Sequence, residues 1–167
     1  MHLSLKNISL LLIIFLSSCS SESERKLSDE SLEENKRVIG NIYKMFETGD
    51  VSQIDKYVER DMNEHTPDPL IIPTGIEGLK ELIRVNHIAF PDLKIKVYNI
   101  TAEGDLVYAH FNWAATNTGP IREIEPTLRS IDIDGVDIIR IKDGKISEHW
   151  GYWDAIKFLN QLGQPTD

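Results

Sequence analysis

The chain has 167 residues, with 18 Lys and Arg against 27 Asp and Glu, for a formal charge of −9. That length suits one domain of ordinary size, and an acidic chain with no basic stripe is a poor partner for phosphates, which excludes nucleic-acid binding. Cys19 is the single cysteine, so an intrachain disulfide, a cysteine nucleophile in the domain and a thiolate metal site are excluded, and stability must come from a hydrophobic core.

Residues 1–19 stand apart. Lys6 supplies a positive start, and Ile8 to Leu16 form a nearly unbroken apolar run. This is the shape of a secretory signal, too short to span a bilayer, which needs about 20 residues. The run ends in Leu16-Ser17-Ser18-Cys19, which resembles the lipobox of bacterial lipoproteins. The resemblance implies that Cys19 is lipidated, becomes the mature N-terminus and anchors the chain to a membrane of the bacterial envelope, periplasmic or surface-exposed. Residues 20–28 are polar, charged and aperiodic, and read as a flexible tether. Residues 29–167 are the expected folded domain.

Val38, Ile39, Ile42, Tyr43 and Phe46 fall at helical spacing and predict a helix over 30–47, ended by Gly49-Asp50. Ser52 can cap a short second helix through Tyr57. Asp61 to Pro73 contains three prolines and reads as loop or irregular edge. A third helix is expected from Ile76 to Ala89, with Leu79, Leu82 and Ile83 inward, stopped at Phe90-Pro91-Asp92. Strands follow. Leu93 to Thr101 alternates, with Leu93, Ile95 and Val97 on one face and Asn99 next in that series. Leu106 to Thr118 forms a long strand, and residues 119–128 a loop. Ser130 to Ile141 and Lys145 to Tyr152 form a hairpin. A last helix starts after Asp154 as N-cap, with Trp153 and Phe158 as a hydrophobic staple, and ends at Leu162-Gly163. Helices followed by an antiparallel meander give an α+β class, with a curved sheet whose uncovered part leaves a cavity.

The hairpin carries the candidate chemistry. A two-residue turn at Asp143-Gly144 would put Asp137, Glu148 and Trp150 on one face with Ile139 and Ile141. A three-residue loop, Lys142-Asp143-Gly144, shifts the pairing by one. One face then shows Asp137, Ile139, Ile141, Ser147 and His149, and Asp137 lies directly opposite His149. This second register is preferred, because it lets Arg140 and Glu148 meet diagonally and keeps Glu148 from between two isoleucines. An Asp–His pair in a pocket orients the imidazole and raises its pKa, leaving a group that moves protons near neutral pH. The competing reading is a half-buried histidine satisfied by a carboxylate, with no chemistry. His65 is a candidate for the cavity mouth. His110 and Asn112 share one strand face and Phe111 and Trp113 the other, and His87 lies at a helix edge. No two histidines have ligand spacing on one element, so no metal site is expected.

Several motifs in order are similar to the SnoaL-like polyketide cyclases, also called ester cyclases. They are Glu64-His65-Thr66-Pro67, Gly75-Ile76-Glu77-Gly78, Phe90-Pro91-Asp92-Leu93, Ala102-Glu103-Gly104-Asp105-Leu106-Val107, Thr116-Asn117-Thr118-Gly119 and Pro126-Thr127. Asp137-Ile138-Ile139-Arg140-Ile141, Asp143-Gly144-Lys145-Ile146, Glu148-His149-Trp150, Asp154 and Gln161-Leu162-Gly163 complete the series. The resemblance covers about residues 30–163. It implies the nuclear-transport-factor-2-like cone, a curved antiparallel sheet wrapped around N-terminal helices and enclosing an apolar pocket, in a homodimer. It also implies a small hydrophobic ligand and acid–base chemistry with no cofactor. The residue that matches the family's cyclase aspartate is Gly151, and Asp137 stands where the family has its assisting histidine. Asn117 stands where many relatives have a histidine. Asp137 as base with His149 as partner is the substitute this chain offers. His65, Phe90, Trp113, Asn117 and Trp153 are the expected pocket residues. Cyclase, isomerase or hydrolase chemistry is one expectation. A non-catalytic ligand-binding module or an envelope interaction module of the same fold is the alternative.

Overall fold

A computed structural model of the chain describes residues 29–67 and 74–164. The expectations for the signal segment, Cys19 and the tether lie outside those residues. Helix α1 spans 29–48. It buries Val38, Ile39, Ile42, Tyr43 and Met45 on one stripe, the face predicted from spacing. It stops at Gly49, whose φ is +72°. Glycine is required there twice over, since a Cβ at this position would also sit 2.5 Å from the His87 ring.

The expected second helix is only a 3₁₀ turn, Ile54–Lys56. The segment after it corrects the sequence reading more sharply. Val58–Glu64 is a strand, β1, where a loop was expected from Asp61. It joins the sheet edge parallel to the last strand, with Val58 opposite Ile146 and Glu64 opposite His149. VERDMNE has little β-propensity of its own, and its ladder partner lies more than eighty residues away, so no local signal marks it.

Helix α2 (Gly75–Ala89) buries Ile76, Ile83, Asn86 and Ala89. Strands β2 (Lys94–Glu103), β3 (Leu106–Thr116), β4 (Ser130–Lys142) and β5 (Lys145–Trp153) follow, then α3 (Ala155–Leu162). The spatial order is β1-β5-β4-β3-β2. The sheet is antiparallel except for its β1 edge. In β4 the buried row is Ile131, Ile133, Gly135, Ile139 and Ile141, a period of two broken only by Asp137. In β2 the expected alternation is interrupted, because the register shifts between Val97 and Asn99. Ile100 and Ala102, not Asn99, therefore pack on the core.

The hairpin turn is the two-residue form. Lys142 pairs with Lys145, and Asp143 and Gly144 have φ of +50° and +76°, the double positive φ of a type I′ turn. A bulge then intervenes. Ile141 faces Ile146, but Arg140 faces Glu148, so Ser147 is the extra residue. Ile146 is buried rather than on the outer face with Arg140, as the preferred register had it. Past the bulge Ile139 faces His149 and Asp137 faces Gly151. Asp137 and His149 are therefore diagonal neighbours on the inner face, not direct partners. Arg140 and Glu148 are directly opposite on the outer face, with Arg140 Nε 2.8 Å from Glu148 Oε1.

Two apolar clusters hold the layers together. One joins α1, α2 and the middle of the sheet; the other joins Phe90, Leu93, Ile131 and Ile133 to Phe158 and Leu162 of α3. Asp154 caps α3 by accepting from Lys157 N at 2.8 Å, and the Trp153 and Phe158 rings meet edge to face at 5.3 Å, which is the expected staple. Between α1, α2 and the inner sheet face lies a cavity of about 1010 Å³. The α+β class and the curved sheet over helices agree with the sequence reading, with the parallel edge strand added.

Candidate functional site

The cavity wall is mainly apolar, with Ile42, Phe46, Leu79, Phe111 and Ile139 among its residues. A polar cluster around His149 interrupts it, and Arg60, Asn63, Asn86 and Arg122 are lining residues as well. β4 brings Asp137 inward at a position its neighbours fill with isoleucine or glycine. Its Oδ1 lies 3.2 Å from His149 Nε2 on β5, and its Oδ2 accepts the Tyr43 hydroxyl from α1 at 2.8 Å. The other imidazole nitrogen, Nδ1, lies 2.5 Å from Glu64 Oε2 on β1. Thr66 donates to Glu64 Oε1 through both its backbone N–H and its hydroxyl, each at 2.9 Å. The Gly151 N–H donates to Thr66 Oγ1 at 2.8 Å. Two strands thus grip the imidazole from either side, and α1 joins the cluster through Asp137.

Burial by itself disfavours a charged His149. The hydrogen bonds and negative charges of Asp137 and Glu64 outweigh it and raise its pKa from 6.5 to about 10. His149 is therefore an imidazolium at neutral pH, donating from both nitrogens. This corrects the expectation of a histidine that exchanges protons near neutrality; it is a fixed cation between two carboxylates. Burial opposes ionisation of Glu64, yet the His149 contact and the two Thr66 bonds hold its carboxyl below the usual range. Burial and the nearby Asp137 charge push the Tyr43 hydroxyl well above its ordinary value, so it stays protonated.

Gly151 lies against this cluster. A Cβ there would sit 3.0 Å from His149 Cε1 and 3.4 Å from Asp137 Oδ1. Gly151 thus packs closely against the Asp137–His149 pair, where a side chain would force the imidazole to shift.

The expected pocket residues divide. Trp113 and Trp153 line the cavity. His65 does not. It lies on the outer face, stacked on Trp150 with ring centroids 4.1 Å apart, and its Nε2 is 2.8 Å from Glu148 Oε2. His65 directly follows the last residue of β1, and with Glu64 pointing in, the next side chain points out. Phe90 is fully buried and packs on Phe158 in the second apolar cluster, away from the cavity lining. Asn117 is also fully buried. Its Nδ2 donates to Gly119 O at 2.7 Å, and its Oδ1 accepts from Thr127 N and Oγ1, so it clamps the loop between β3 and β4. His110 faces outward beside Tyr98, and Asn112 donates to Asp132.

Sequence reasoning missed Tyr43 and Glu64 as site residues. Tyr43 was placed on a buried stripe, and a buried tyrosine hydroxyl needs a partner. That need was the available signal. Glu64 carried a weaker one: it shares strand parity with the buried Val58 and Met62.

Comparison with known proteins agrees with this geometry. The sequence profile described as SnoaL-like polyketide cyclase matches residues 36–162. Nogalonic acid methyl ester cyclase of Streptomyces nogalater is 27% identical over 121 residues, which cover 72% of this chain and 90% of that protein. Among solved structures, TsrD from Streptomyces laurentii superposes with a TM-score of 0.73 at 25% identity, covering 80% of this chain and 97% of that one. AclR, a candidate hydroxylase from Streptomyces galilaeus, superposes with a TM-score of 0.69 at 27% identity, covering 81% and 85%. With the profile spanning most of the chain and the fold shared, the protein belongs to the SnoaL-like polyketide cyclase family.

Proposed function

We propose that the domain catalyses proton-transfer chemistry, a ring closure or an isomerisation, on a small hydrophobic molecule, with Asp137 as the base. The observation that carries this is the Asp137 carboxylate lining an apolar cavity between a hydroxyl donor and a fixed cation. Asp137 would take a proton from carbon beside a carbonyl. The C–H bond breaks, the carboxyl O–H forms, and the electron pair moves to the carbonyl oxygen as an enolate. That transfer removes the charge holding the Tyr43 hydroxyl, which is then free to donate to the new oxyanion. The enolate carbon then bonds to a second carbonyl carbon, whose C=O π pair becomes an alkoxide that takes the proton back from Asp137, or the enolate is reprotonated by Asp137 at another carbon. The family membership supports this reading, and so does an acid contributed from the strand beside Gly151.

The test uses 2-tetralone in D₂O, with deuterium uptake beside the carbonyl followed by NMR. The wild-type protein should accelerate uptake over Asp137→Asn by about a hundredfold, the usual scale for a positioned base. Equal rates would remove Asp137 from the base role.

The same proposal places the domain on a bacterial envelope membrane through lipid on Cys19, supported by the apolar run before it. Cys19→Ala should move the protein from the membrane to the soluble fraction, and retention of the variant in membranes would refute the anchor. A homodimer through the outer sheet face is included, supported by the exposed Tyr152, Tyr98 and Val136. Sedimentation of the domain as a monomer would remove it.

A further inference from the structure

Both carboxylates of the cluster line the cavity, but they are held differently. Glu64 is bound on both oxygens. Its Oε1 accepts the Thr66 backbone N–H and hydroxyl, each at 2.9 Å, and its Oε2 lies 2.5 Å from His149 Nδ1. Thr66 is held in turn by the Gly151 N–H at 2.8 Å, so the β5 backbone steadies the residue that steadies Glu64. Asp137 accepts two bonds among the described residues, from Tyr43 at 2.8 Å and from His149 Nε2 at 3.2 Å. A carboxylate offers about four lone-pair sites. Glu64 is therefore the more nearly saturated of the two, and Asp137 keeps more capacity for a reaction.

The imidazole ring links them. A half-turn about its Cβ–Cγ bond would exchange Nδ1 with Cδ2 and Nε2 with Cε1, and would present carbon to both carboxylates. The observed orientation is thus held by two bonds, and the shorter is the one to Glu64. Among the described residues the ring bonds to Glu64 of β1 and Asp137 of β4 alone, and Tyr43 of α1 reaches it only through Asp137. Arg60, Arg122 and Trp113 line the same cavity, with the Trp113 indole N–H unpartnered among the described residues. None of these three is bonded to the ring.

We propose that Glu64 is a positioning residue for Asp137 and acts through His149: it takes the Nδ1 proton and thereby aims the Nε2–H at Asp137 Oδ1. The inference rests on the reading of Asp137 as the base. With Oδ1 pinned by the ring and Oδ2 by Tyr43, the Asp137 carboxylate keeps one orientation towards the cavity. Without Glu64 the ring has a single bond left to resist the half-turn, and that turn unpins Oδ1. A misplacement of about 1 Å at a reacting atom costs about a hundredfold in rate.

The test compares the wild-type protein with Glu64→Ala and Glu64→Gln in the 2-tetralone exchange assay, with kcat and KM separated, and follows the His149 ring by NMR titration. Glu64→Ala should lose about tenfold to a hundredfold in kcat, with KM unchanged. Glu64→Gln should recover most of that loss. Its Oε1 can keep the Thr66 bonds while its amide N–H donates to Nδ1 of the neutral ring, whose remaining proton stays on Nε2. The ring gives up its proton at about pH 10 in the wild type, and should do so more readily in Glu64→Gln by about tenfold or more, because the facing charge is gone. Wild-type kcat in Glu64→Ala, a loss confined to KM, or Glu64→Gln as slow as Glu64→Ala would overturn the proposal. So would an unmoved His149 midpoint in folded Glu64→Gln. The two readings fail separately. Equal exchange by wild type and Asp137→Asn removes the base role, and the positioning role with it. A large loss in Asp137→Asn with Glu64→Ala at the wild-type rate removes the positioning role alone.

Discussion

His149 should act as a stability switch on the alkaline side. Its pKa is 6.5 when unconstrained and about 10 in the fold. A raised pKa means that the folded state binds the proton more tightly than the unfolded state. The resulting stability is fully present below pH 6.5 and is lost as pH rises through about 10. The span between those values corresponds to an upper bound of about 5 kcal/mol, shared with the Asp137 and Glu64 partners. Against a typical domain stability of about 5–15 kcal/mol, that is a large fraction. The assay is urea unfolding at several pH values from neutral to about 10, on wild type and on His149→Gln. The wild type should lose several kcal/mol more than the variant over that interval, since lysine and tyrosine titrations are common to both. Parallel stability curves for the two proteins would refute the reasoning, as would a His149 ring proton titrating at the ordinary histidine value.

Two further outcomes follow from the placement of single residues. Phe90 is fully buried against Phe158 and outside the cavity lining, so Phe90→Ala should cost about 3–5 kcal/mol in denaturant unfolding while leaving deuterium uptake by the folded fraction unchanged. Asp154 caps α3, and Asp154→Ala should cost about 1 kcal/mol, read as a lowered Tm, with deuterium uptake intact.

The helices and the β4 strand were legible because their signals are local. The stripe from Val38 to Phe46 repeats at helical spacing, and Ile131 to Ile141 alternates. The turn shows where local reading fails. Asp143-Gly144 favours the type I′ form, yet a plain two-residue hairpin would turn Glu148 inward and His149 outward. The chain satisfies both demands with a bulge at Ser147, so Ile146 and His149 face inward despite their odd spacing. Bulges are chosen by the fit of both strands to the core, and the segment Lys145 to Trp153 alone does not encode that choice.

The sequence by itself determined the helical stripes, the β4 row and the α3 cap, because each depends on residues within a few positions of one another. It also supplied Asp137 and His149 as an unusual pair among isoleucines. Only the tertiary structure decided that β1 would pair with β5, carry Glu64 to the far side of the imidazole and turn His65 outward. Only packing decided that the α1 tyrosine would spend its hydroxyl on Asp137. These contacts join elements 85 and 94 positions apart in the chain, a range at which neighbouring residues carry no information about which partner will arrive.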